Sequence, residues 1–166
     1  MIEPRPADDG VSAILNHARA LAEARDFESA IVQYNQLLDR DLDTPLRGEV
    51  LTNLGAALCL SVQGQRDEVA VAKLVQARGL LADAVPCRPR NLVPAAWATT
   101  RANLAVVCLA LYEAIGNRDD LMAAHLALDG VEQAMQGAGD TAMHDWVLAI
   151  RDQLADLGDR RSTRRR

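Results

Sequence analysis

Aromatic side chains are scarce in this chain: Phe27, Tyr34, Trp97, Tyr112 and Trp146 are the five among 166 residues. Cysteine is scarce too. Cys59, Cys87 and Cys108 are odd in number and sit 28 and 21 residues apart, which fits neither a disulfide scaffold nor a zinc module. They read as reduced thiols, and a cytoplasmic location is expected. No stretch approaches eighteen uninterrupted apolar residues, so no transmembrane helix is expected and no membrane partner. The opening "MIEPRPADDG" carries acids and prolines where a secretory leader needs a basic start and an apolar run.

Basic charge is missing from the body. Five of the eighteen Lys and Arg lie in the last seven positions, "RRSTRRR", so the rest of the chain sets 13 basic against 23 acidic residues, near −10. Duplex binding needs clustered cations on a folded face, so nucleic acid is not the expected partner. The terminal arginines have no aromatic neighbour on which a base could stack, and read as a solvated tail.

What the chain does have is alanine, 29 residues of it, within an apolar fraction of 49%. Ala and Leu lose little rotamer freedom in a helix, and strand-forming patterns are absent. The length suits one domain. The expected organisation is a disordered segment over 1–10, a single helical domain over 11–158 and a basic disordered tail over 159–166.

Apolar residues recur at steps of three and four from residue 11 onward. Phe27, Ala30, Ile31, Tyr34, Leu37 and Leu38 form one stripe, with Asp26 as its N-cap. Leu51, Leu54, Leu58 and Val62 form the next, stopping near Gly64, and Asp67 opens a partner helix. The prolines of "PCRPRNLVP" (86–94) are expected to break the chain. A third pair runs from Trp97 to Gly116 and from Asp119 to Met135, with "QGAGD" (136–140) closing it. A last helix, Met143 to Leu157, covers the open end of the array.

Two segments echo one another, "LTNLGAALCLSVQGQRDEV" (51–69) and "TTRANLAVVCLALYEAIGNRDD" (99–120). A weaker copy is "HARALAEARDFESA" (17–30). The pairs His17-Ala18, Leu54-Gly55 and Leu104-Ala105, followed by small residues at Ala30, Val71 and Ala123, resemble the tetratricopeptide repeat family over roughly residues 11–137. The resemblance implies an all-α array of antiparallel hairpins, about seven helices with a C-terminal cap, stacked as a solenoid or bundle. Small residues are needed where helix axes cross closely. The usual period is about 34 residues, whereas Asn16 to Asn53 is 37 and Asn53 to Asn103 is 50. The first helices have therefore gained turns, which favours bundle-like packing.

In the family this chain resembles, an Asn just before the Leu-small pair faces a concave groove and hydrogen-bonds the backbone of a bound peptide. Asn16, Asn53 and Asn103 occupy that register. An amide suits the task because it offers donor and acceptor together. Arg19, Glu49, Thr99 and Arg101 are expected to flank the groove.

Other constellations carry less. "DRDLD" starts like a calcium loop but lacks the later Gly and bidentate Glu, and reads as a solvated helix terminus. His17, His125 and His144 have no metal-ligand spacing, so neither metal nor cofactor is expected. Cys87, beside Arg88 and Arg90, is the thiol expected to be most exposed. No nucleophile or acid–base constellation stands out, so an enzyme is not expected. The leading expectation is a module, an adaptor, scaffold or chaperone-like protein, that holds a peptide or helix of another protein in a groove. The alternatives are an all-helical small-molecule sensor or enzyme with a pocket between hairpins, and self-association through exposed stripes.

Overall fold

The computed structural model describes residues 9–136 and 141–163. The expected disordered segment before residue 9, the turn at 137–140 and the last three arginines lie outside the described residues. Eight helical segments and no strand form among the described residues. They are α1 (Asp9–Glu23), α2 (Phe27–Leu38), α3 (Thr44–Ser61), α4 (Glu68–Cys87), α5 (Pro94–Ile115), α6 (Arg118–Ala127), α7 (Val131–Gln136) and α8 (Thr141–Thr163). Chain neighbours pack on one another from α1 to α6, α1 on α2, α2 on α3, α3 on α4, α4 on α5 and α5 on α6, and α7 packs on α5 and α8. The result is an all-α array of helical hairpins.

The helix starts follow from local chemistry. Asp26, Asp43 and Asp67 each accept a hydrogen bond from the backbone N–H three residues on, and Asn117 caps α6 by accepting from Asp119 N. Such a cap satisfies one of four otherwise orphaned donors. "DRDLD" thus ends one helix and starts the next. Gly116 closes α5 at φ 73°, a conformation cheap only for glycine.

The chain breaks between Cys87 and Pro94, within the stretch 86–94 where a break was expected. Pro45 and Pro94 open α3 and α5, where a missing N–H is no loss. Pro86 lies inside α4 as its penultimate residue, so it withholds a hydrogen bond only from a turn that is already ending. The helix expected over Asp119–Met135 is split into α6 and α7, with Gly130 at φ 74° between them. At the ends, α1 starts at Asp9 and α8 continues past 158 to Thr163.

The lengthening of the first helices is plain, from 15 residues in α1 to 18 in α3 and 22 in α5. Ala18, Gly55 and Ala105, each two residues after the repeated Asn, are buried. A Cβ on Gly55 would lie 2.7 Å from Leu81 Cγ, so the absent side chain is the seat for α4. On the second helices the buried register is Ala30-Tyr34-Leu37, Ala70-Leu74-Ala77 and Asp120-Ala124-Ala127. Val71 and Ala123 are only half-buried, one and three residues from the positions that match Ala30. Asp120 takes that place in α6, and its carboxylate is met by Arg78 Nη1 at 2.5 Å.

Two apolar cores result. The first gathers α1 to α4 with Val107 and Leu111 of α5; the second gathers the rest of α5 with α6, α7 and α8, the last contributing Val147, Ile150 and Leu154. Helix α5 is the wall between them. By length and composition it alone, among the described residues, would be long and apolar enough to cross a membrane, and half of that stretch is buried in the protein.

Candidate functional site

The first helices are tied into one row by polar contacts. Arg19 of α1 donates to Asn16 Oδ1 at 3.3 Å and pairs with Glu49 of α3. Helix α3 is joined to α5 by the Thr52 and Thr100 hydroxyls, 2.9 Å apart and buried. Asn16, Arg19 and Glu49 are therefore brought together. Asn53 lies one turn beyond Glu49 on the same face of α3, half-exposed.

The α5 residues fare differently. Thr99 Oγ1 donates to Ala95 O and Asn103 Nδ2 to Thr99 O, both at 3.0 Å, so each spends a donor on its own helix. Arg101 turns toward α6. Its Nε and Nη2 donate to the carbonyls of Ala127 and Leu126 at 2.9 and 2.5 Å, and its guanidinium lies over Trp97. It caps the C-terminus of α6, where a cation meets unsatisfied carbonyls and the negative end of the helix dipole. Arg90 covers Trp97 as well.

A cleft of about 420 Å³ opens beside this row, between the start of α3, the end of α4 and the start of α5. Leu46, Leu92, Val93 and Ala96 give it apolar walls, and Asp43, Glu49 and Arg88 line it with charge. None of the three asparagines lines it. A second cleft, of about 220 Å³, lies at the other end of α3, where Gln153 donates to Glu113 at 2.9 Å.

Arg88 is the residue that sequence reasoning missed as a binding group. It follows the last residue of α4 and turns back, so that Nη1 donates to the hydroxyls of Thr52 and Thr100 at 3.3 and 3.2 Å. Those hydroxyls reach the Gly48 and Ala96 carbonyls at 2.8 and 3.0 Å. Gly48 makes room, because a Cβ there would lie 2.8 Å from Arg88 Cγ. Burial pulls the guanidinium below its ordinary pKa, and the charge of Glu49 opposes that shift. The sequence signal was two threonines in the apolar faces of neighbouring first helices, opposite a glycine.

Cys87 ends α4, half-buried, with its thiol donating to Asp83 O at 3.5 Å. Cys59 and Cys108 are buried, and burial pushes each thiol up to about 11. The three histidines lie on α1, α6 and α8. No family model, curated protein or solved structure matches the chain.

Proposed function

We propose that this protein is an interaction module of the tetratricopeptide type, whose row of first helices α1, α3 and α5 takes a peptide or helix of another protein. One observation carries the reading. Arg19–Glu49 links α1 to α3 and the buried Thr52–Thr100 contact links α3 to α5, and a cleft with apolar walls opens at the start of α3 and α5. Among the described residues the Asn53 amide makes no hydrogen bond, so its donor and acceptor are both available to a bound backbone. Asn16 and Asn103 are partly engaged, which concentrates that role on α3. Apolar contact supplies most of the affinity and charge the selectivity.

A photo-reactive residue at position 53 is the test, with a second at Val32 on α2, which is 53% exposed. The expected result is a covalent adduct to a protein partner from position 53 and none from position 32. Adducts only from position 32 would overturn the assignment of the face. The alternative of a small-molecule sensor rests on the same cleft, since 420 Å³ is within the range of ligand sites. Native mass spectrometry of the cell-made protein would then show a bound ligand.

A further inference from the structure

We infer that the cleft beside Arg88 receives an acidic side chain of the partner segment, a Glu or Asp flanked by aliphatic residues, with the Arg88 guanidinium as its counter-ion. The inference rests on the peptide-docking reading above and adds the chemistry of the bound segment.

It follows from which charges in the cleft already have partners. Three charged side chains line it, Asp43, Glu49 and Arg88. Asp43 is engaged as the N-cap of α3, accepting from Leu46 N at 2.9 Å. Glu49 is paired with Arg19. Arg88 has no carboxylate partner among the described residues; its protein hydrogen bonds are the two from Nη1 to threonine hydroxyls. The charge of Glu49 acts on Arg88, but the guanidinium's bonded partners are neutral hydroxyls, so a charge-assisted bond from its remaining N–H groups to a carboxylate is a further gain. The hydrogen-bonding capacity left open in the cleft is therefore that of a cation, although Asp43 and Glu49 also line it.

The guanidinium is also held ready. Thr52 and Thr100 are 1% and 0% exposed, so they cannot reach a ligand, but they fix Nη1 and with it the plane of the fork. Every buried side-chain nitrogen among the described residues has a partner, so the Arg88 nitrogens that make no bond are not fully buried. A guanidinium fixed on one side and open on the other can present two parallel N–H groups to a carboxylate with little further loss of freedom.

The walls select the neighbours of that carboxylate. Leu92 is 72% exposed and Val93 42% exposed at the rim, with Leu46 and Ala96 inside. Covering them requires aliphatic side chains next to the acid. A bound segment leaving the cleft along α3 meets Asn53, one turn beyond Glu49, so the acid and the backbone contact lie on one path.

The test uses phage-displayed heptapeptide libraries with a fixed central Glu, Gln or Lys, selected against the full chain and against Arg88→Met and Arg88→Lys. The expected result is at least tenfold enrichment of the Glu library over the Gln library. That excess disappears with Arg88→Met, returns in part with Arg88→Lys, and falls as salt is raised. Leu92→Ser, an exposed change that leaves the fold alone, should weaken Glu and Gln peptides alike and keep their ratio. Equal enrichment of Gln or Lys peptides, or a Glu excess that survives Arg88→Met, overturns the inference while leaving the docking reading intact. Enrichment of no library contradicts the docking reading itself. Octanoate binding at Leu46, Leu92 and Val93 without peptide enrichment makes this a small-carboxylate site and overturns the inference too.

Discussion

At the scale of single residues, the account turns on side chains that are small or missing. Gly55 was legible in the sequence as a close-approach position, because a Leu-small pair recurs in register and helices that cross closely leave no room for a Cβ. The structure supplies the atom it accommodates, Leu81 Cγ. Gly55→Ala should destabilise the protein by about 1–3 kcal/mol, read as a lower urea midpoint with unchanged slope. Arg88 was not legible, because its site is made by two threonines 48 residues apart and a turn that sends the side chain back across α3. The buried thiols give a pH prediction. Cys59 and Cys108 hold their protons to about 11 when folded, so their contribution to stability is complete below the ordinary thiol range. It is lost as pH rises toward 11. Between pH 9 and 10.5 the slope should approach 1.4 kcal/mol per pH unit per thiol, and the Cys59→Ala/Cys108→Ala variant should flatten it in urea unfolding. Tyr34, also raised by burial, acts in the same direction and leaves a residual slope.

At the scale of elements, helix starts were easier to read than helix ends. Asp26 and Asp67 announce themselves by the apolar period that follows, and both cap through their side chains. One break was missed where tertiary contacts decide it. The break at 86–94 stands, with Pro86 the penultimate residue of α4, whereas the Asp119–Met135 pattern is interrupted at Gly130 although its period continues. That junction is held from outside. Arg101 and Arg151 donate to the carbonyls of Leu126, Ala127 and Leu128, and Arg90 packs where a side chain at 130 would sit. Gly130→Ala would meet both a φ of 74° and the Arg90 guanidinium, with Nη1 2.7 Å from the new Cβ. It should lower stability by about 1–2 kcal/mol from backbone strain alone. Calorimetry checks this, with Ser29→Ala, away from the junction, as the comparison.

At the scale of the whole molecule, the hairpin array was readable from the period of the apolar residues and the repeated segments. Its division into two cores was not, since it depends on α5 presenting Val107 and Leu111 to one side and Ala102 and Leu109 to the other. Seven residues expected around one groove have separated: Asn16, Arg19, Glu49 and Asn53 remain on the α1–α3 part of the row, Thr99 and Asn103 bond within α5, and Arg101 caps α6. On the proposed reading the binding face is narrower than the sequence suggested and ends at the Arg88 cleft. Amide hydrogen exchange of the full chain with and without a bound partner segment tests this most directly. Slowed exchange over 44–53 and 88–96, with 27–38 and 118–127 unchanged, is the predicted footprint. Protection confined to those second-helix segments would contradict it.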